Sequence, residues 1–274
     1  MKRTDLFPFD TGFVPWITSR LDPRFSWALY VPKSASEKSP APVLALVHDS
    51  TRHDYFREGF RDYAKRTGSV LITPLFPIGG ADPRDIHGYK QLTDFGVRYD
   101  LLLLDMIAQA AEIWPLATDR FALFGYSGGG QFVHRFAYTH PDRLSALSVG
   151  APGHVTLPDP DRLWPAGVQD IEQNFSIAFD SQSMARVPVQ LVVGANDTEV
   201  KLIARKPDDP LYVKGVNDEE TNRVTKLKRL ESALAGIGCK TRFDAVEGAA
   251  HDGRAMIPAV TTWLEATLNT PLRQ

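Results

Sequence analysis

One cysteine, Cys239, stands in 274 residues, so no disulfide can close within the chain. That fits a reducing compartment, and a cytoplasmic protein is the expectation. Neither charge is in excess: 31 Lys and Arg stand against 33 Asp and Glu, a formal −2. Binding to nucleic acid by counterion release needs a basic face or domain, so no nucleic-acid partner is expected. Long hydrophobic runs are missing too, and the most apolar one, Leu101 to Leu104, is broken by Asp105. A membrane helix takes about 20 apolar residues, so no membrane partner is expected. No apolar stretch follows Met1-Lys2-Arg3, so no secretory signal is expected either. The chain has no Gly-x-x-x-x-Gly-Lys-[Ser/Thr] loop, and Gly236-x-Gly238 lacks the third glycine of a dinucleotide fingerprint. With no cysteine cluster and no His-Glu-x-x-His helix, neither a cofactor nor a metal is expected.

What remains is an ordinary globular composition, 43% apolar and 23% charged, which argues against disorder as the main state. Short apolar runs read as buried strands at Val43–Val47, Val70–Thr73, Arg120–Gly125, Leu144–Val149, Val187–Val193 and Thr241–Val246. Helical spacing falls between them, at Asp54–Arg66, Phe95–Trp114, Gly129–Thr139, Asn217–Ala235 and Gly253–Thr267. Strands that alternate with helices imply an α/β fold, a mostly parallel twisted sheet with helices on both faces. Trp27–Val31 and Phe13–Thr18 are expected to add an antiparallel edge. The chain reads as a single domain over residues 1–274. Residues 151–186, rich in Pro, Asp and aromatics and without a clean period, are expected to form a small lid carrying Trp164, Phe175 and Phe179.

In such sheets ligands bind beyond the carboxyl ends of the strands. A serine, an aspartate and a histidine fall there, in that chain order. Ser127 sits in Gly125-Tyr126-Ser127-Gly128-Gly129, a Gly-x-Ser-x-Gly string between a strand and a helix, where a sharp turn exposes the hydroxyl. A serine needs a base, and His251 follows the last strand at the same sheet edge. The base needs an orienting acid, and Asp197 closes Val192-Val193-Gly194-Ala195-Asn196-Asp197. Glu199 is its nearest rival. Oxyanion donors are expected from the backbone N–H of Gly128 and from Ser50, in the loop after the first buried strand. His48, Tyr126, His154 and Trp164 are candidates to line the substrate pocket.

These pieces resemble an α/β-hydrolase: GYSGG (125–129), VHDS (47–50), VVGAND (192–197) and EGAAHD (247–252), over roughly residues 25 to 268. Val47-His48 followed by Arg52, with Ser127-Gly128-Gly129-Gly130-Gln131, is similar to the esterase branch of polyhydroxybutyrate depolymerase-like and feruloyl esterase-like proteins. That branch usually carries His-Gly where this chain has His48-Asp49. The expected activity is hydrolysis of a small-molecule carboxylic ester through an acyl-enzyme on a Ser-His-Asp triad. An amidase or peptidase, an acyltransferase, and a non-catalytic binding protein on the same fold are the alternatives. The oligomeric state is open, a homodimer included.

Overall fold

In the computed structural model, residues 10–37, 40–201, 203–209, 212–216 and 222–268 are described. The sheet comprises β1 (Gly12–Thr18), β2 (Ser26–Val31), β3 (Val43–Val47), β4 (Val70–Leu75), β5 (Phe121–Tyr126), β6 (Leu144–Gly150), β7 (Val189–Gly194) and β8 (Thr241–Val246). Its spatial order is β1-β2-β4-β3-β5-β6-β7-β8. β1 and β2 form the antiparallel edge, β2 pairing antiparallel with β4. Every other pairing is parallel. β3 and β5 are buried at every position, as strands covered on both faces must be.

The helices are α1 (Tyr55–Gly59), α2 (Arg61–Thr67), α3 (Gly88–Gln91), α4 (Tyr99–Ile113), α5 (Gly128–Thr139), α6 (Ile171–Phe175), α7 (Ser181–Ala185), α8 (Arg223–Gly236) and α9 (Gly253–Leu268). The chain steps from β3 to β4 in one direction and from β5 to β8 in the other. Right-handed crossovers therefore put α1 and α2 on one face and α5 and α8 on the opposite one. The direction reverses between β3 and β5. That reversal opens a crevice at the carboxyl ends of these two strands, where a doubly wound sheet binds its ligands. Val47 pairs with Gly125, so β3 and β5 end level, and the segments after Val47 and Tyr126 emerge side by side.

Three expectations are corrected. The helix expected over Phe95–Trp114 begins at Tyr99, because Phe95 and Gly96 take left-handed backbone angles (φ 47° and 75°) in a short hairpin spanning Thr93–Arg98. The single helix over 54–66 is two, broken at Phe60, which leaves helical geometry at ψ 1°. The helix expected from Asn217 begins at Arg223; Asn222 caps it, its side chain accepting from Thr225 N at 3.0 Å, and 217–221 lie outside the described residues. Among the described residues no helix is long and apolar enough to cross a membrane.

Residues 151–186 pack on the body. Phe175 is 2% exposed and its ring lies 4.8 Å from that of Trp164, while Phe179 meets Tyr138 at 5.4 Å. Phe175 thus joins the core and Phe179 packs against it.

Candidate active site

Ser127 ends β5 and opens α5 with φ 55° and ψ −108°, strained angles for a residue with a side chain. Three features hold that turn. Ser127 N donates to Gly150 O at 2.8 Å. A Cβ on Gly129 would stand 2.3 Å from Val47 O, and one on Gly130 would stand 2.3 Å from Gly150 O. Glycine at both positions lets the first turn of α5 lie against β3 and β6, and this packing fixes the serine at the mouth of the crevice.

Asp197 lies just past β7 and His251 past β8. The two turns interlock: Asn196 N donates to Ala249 O at 2.8 Å, and Ala195 N to Val246 O at 2.9 Å. A Cβ on Gly194 would stand 2.2 Å from Ala250 O, so only glycine admits so close an approach. The outcome is a continuous line of side chains. His251 Nδ1 is 2.6 Å from Asp197 Oδ2, and His251 Nε2 is 3.1 Å from Ser127 Oγ.

The proton positions follow from charge. Burial would raise the Asp197 carboxyl, but the His251 hydrogen bond, the His251 charge and Arg223 together hold it below the usual value. An ionised carboxylate only accepts. Nδ1 of His251 therefore carries a proton toward Asp197, and Nε2 is the ring nitrogen that faces the Ser127 hydroxyl. Asp197 is 1% exposed and also accepts from Arg223 Nη1 at 3.0 Å.

Gly128, the expected oxyanion donor, follows Ser127 directly. Its N–H belongs to the first turn of α5, where no helical partner exists. A Cβ on Gly128 would stand 2.1 Å from Tyr89 Oη, 2.9 Å from Ser50 Oγ and 3.0 Å from Lys90 Cε, so the loop after β3 and helix α3 both close on this glycine. Asp49, which replaces the usual glycine, is held in a turn: its Oδ1 accepts from Thr51 N at 2.7 Å and its Oδ2 from Tyr55 Oη at 3.0 Å. The left-handed residue of this loop is Arg52, at φ 61°, not Asp49.

The pocket candidates divide. His48 has both ring nitrogens engaged within the protein: Nδ1 with Asp49 O at 2.8 Å, and Nε2 accepting from Phe76 N at 3.0 Å. Burial drives its pKa down to about 4, so it is a neutral support of the loop, not a residue that faces substrate. Tyr126 is 2% exposed; its hydroxyl lies 3.1 Å from His251 Nδ1 and its ring 5.0 Å from the imidazole, so it supports the histidine from below. His154 lies beside Ile203, and the Arg135 guanidinium stands over the Trp164 ring at 5.8 Å. Glu199 lies away from His251 and accepts from Lys201 N at 2.8 Å. The sequence reading missed Tyr89, Lys90 and Arg223. No spacing marks the first two, and a basic residue opening a helix gave no sign of pairing with Asp197.

The sheet order, the strained serine turn and the crevice define the α/β-hydrolase fold. Solved structures agree. The chain superposes on poly(aspartic acid) hydrolase-1 from Sphingomonas sp. KT-1 with a TM-score of 0.73 at 20% identity, covering 92% of this chain and 98% of that one. For a poly(3-hydroxybutyrate) depolymerase from Bordetella parapertussis the TM-score is 0.69 at 21% identity, covering 88% and 84%. In sequence, an acetylxylan esterase from Coprinopsis cinerea is 25% identical over 128 residues. That stretch is 45% of this chain and only 34% of the esterase. No family profile matches the chain.

Proposed function

We propose that the protein hydrolyses carboxylic esters through an acyl-enzyme formed on Ser127. The observation that carries this reading is the hydrogen-bonded line Ser127–His251–Asp197, at 3.1 Å and 2.6 Å, with its serine on a strained turn at the mouth of the crevice. The esterase and depolymerase names among its relatives in sequence and fold support the same choice of chemistry.

Ser127 Oγ attacks the ester carbonyl while His251 Nε2 takes its proton. Asp197 holds the ring with Nε2 toward the serine and stabilises the imidazolium. The carbonyl oxygen becomes an oxyanion, accepting from the N–H groups of Gly128 and Ser50. The tetrahedral carbon then expels the alcohol, which leaves with the proton from His251. Water repeats the sequence on the acyl-enzyme: His251 takes a water proton, the hydroxide oxygen bonds to the acyl carbon, and Ser127 Oγ departs with the returned proton.

The test is a panel of p-nitrophenyl esters and aminoacyl anilides with wild-type protein and Ser127→Ala. Esters should turn over, and the variant should lose on the order of 10³–10⁶ in kcat without unfolding. Full activity in the variant would overturn the reading. Cleavage of anilides with no ester turnover would replace it with an amidase.

A further inference from the structure

Three buried cations, one against Gly128 and two farther from Ser127 on α5 and α8, have no acidic partner among the described residues. Lys90, on α3, is 5% exposed and brings Cε to the Gly128 wall of the site. Its Nζ meets His87 Nδ1 at 2.8 Å. Burial, and then the Lys90 charge, lowers His87 to about 4, so this partner is neutral. Arg135 is wholly buried on α5, two turns beyond Ser127. Its Nε donates to Thr156 Oγ1 at 2.8 Å and its Nη1 to Lys90 O at 2.5 Å, while Nη2 has no partner. Lys226, on α8 and 6% exposed, donates only to Gly153 O, at 3.3 Å.

Unpartnered polar atoms surround the same region. Gln131 Oε1, one turn beyond Ser127, and His154 Nε2 are buried without a hydrogen bond. Among the described residues the nearby acids Asp197, Asp209 and Asp49 are committed elsewhere, to His251 and Arg223, to Arg205, and to Thr51 and Tyr55. Burial and then neighbouring guanidinium charges push Lys90 down to about 7 and Lys226 to about 8. Burial and the Arg205 charge push Arg135 down to about 9. The Arg205 charge lowers all three, Arg135 also lowers Lys90, and each is removed from water.

A buried charge without a counterion is strongly unfavourable, and an anion that pairs with such charges offsets that cost. We propose that the ester cleaved at Ser127 carries a carboxylate, which docks among Lys90, Arg135 and Lys226. The carboxylate's two oxygens match the donors left over, the free Nη2 edge of Arg135 and the lysine ammonium protons. This substrate class rests on the hydrolase reading above.

The test compares p-nitrophenyl hemiglutarate with its neutral isostere p-nitrophenyl 5-methylhexanoate, and 4-acetoxybenzoate with its methyl ester. In at least one pair, kcat/KM should favour the anion tenfold or more at low ionic strength, and added salt should narrow the gap. Lys90→Met and Lys226→Met should each lower that anion-to-neutral ratio at least fivefold. An active enzyme with a ratio at or below one in both pairs would overturn the proposal. Calorimetric titration of Ser127→Ala protein with glutarate monomethyl ester reads docking without turnover. Binding weakened tenfold by adding Lys90→Met and Lys226→Met supports the site, and no binding counts against it. Binding of the anion by a wild-type protein that cleaves no ester would sink the hydrolase reading and leave the anion site standing.

Discussion

Asp197 serves two nitrogen partners at once. Its Oδ2 faces His251 Nδ1 at 2.6 Å and its Oδ1 faces Arg223 Nη1 at 3.0 Å. The arginine opens α8, so that helix is tied to the candidate acid as well as to β7 and β8. The carboxylate is thereby fixed in place and kept charged.

Removing the arginine should expose both effects. Arg223→Met should destabilise the protein by about 3 kcal/mol in urea unfolding, because it strips one partner from a buried charge pair. It should also shift the acid limb of activity. Asp197 has a lowered pKa in the folded state, so its stabilising effect is complete above the unfolded carboxyl value and is lost as pH falls through the folded one. Without the Arg223 charge the folded value rises, and kcat/KM should fall off at a higher pH than in the wild type. An unchanged acid limb would show that Arg223 does not tune Asp197.

Gly194 sets the distance between the turns that carry Asp197 and His251. A methyl group there would meet Ala250 O at 2.2 Å and Ala249 O at 2.5 Å, and both oxygens are backbone. Gly194→Ala must therefore push the His251 loop outward. Misplacing a reacting group by about 1 Å can lower the rate about 10²-fold, and kcat should fall by that order with KM far less affected. Steady-state kinetics on a chromogenic ester, beside circular dichroism to establish folding, checks this. A fully active, folded variant would mean that the loop is not held at this point.

Lys90 gives the protein a second pH signature, at higher pH than that of Asp197, with stability rising with pH in both cases. Its pKa is pushed down to about 7 by burial and neighbouring guanidiniums, against an unfolded value near 10.4. Between these values the unfolded chain binds the extra proton, so this group's contribution makes stability rise with pH. Lys90→Met abolishes the term. Relative to wild type, the variant should be more favoured at pH 6 than at pH 10, and the difference in Tm should shrink through that window. A difference that is flat with pH would contradict a buried, depressed Lys90.

The places of Ser127, Asp197 and His251 were legible because each depends on a local pattern read at a strand end. Gly125-Tyr126-Ser127-Gly128-Gly129 follows an apolar run, and Asp197 and His251 follow two more. The alternation of strands and helices then puts all three at one edge. Other features depended on contacts between distant segments. Lys90, Arg135 and Arg223 look like solvated helix charges in sequence, but Thr156, Gly128 and Asp197 approach them from elsewhere in the chain. His48 looked like a pocket residue because it ends a strand, and only the position of Phe76 N reveals that its ring is fully engaged. The late start of α4 escaped notice for a local reason. Phe95, Tyr99 and Leu102 keep helical spacing, while the left-handed backbone at Phe95 and Gly96 breaks it.

The most direct measurement is reaction of the native protein with a fluorophosphonate, followed by peptide mapping. A hydroxyl activated by His251 should be phosphonylated at Ser127 alone, and His251→Gln should slow the reaction by about 10² or more. A folded wild-type protein that stays unlabelled, or carries the adduct on another residue, would contradict the account.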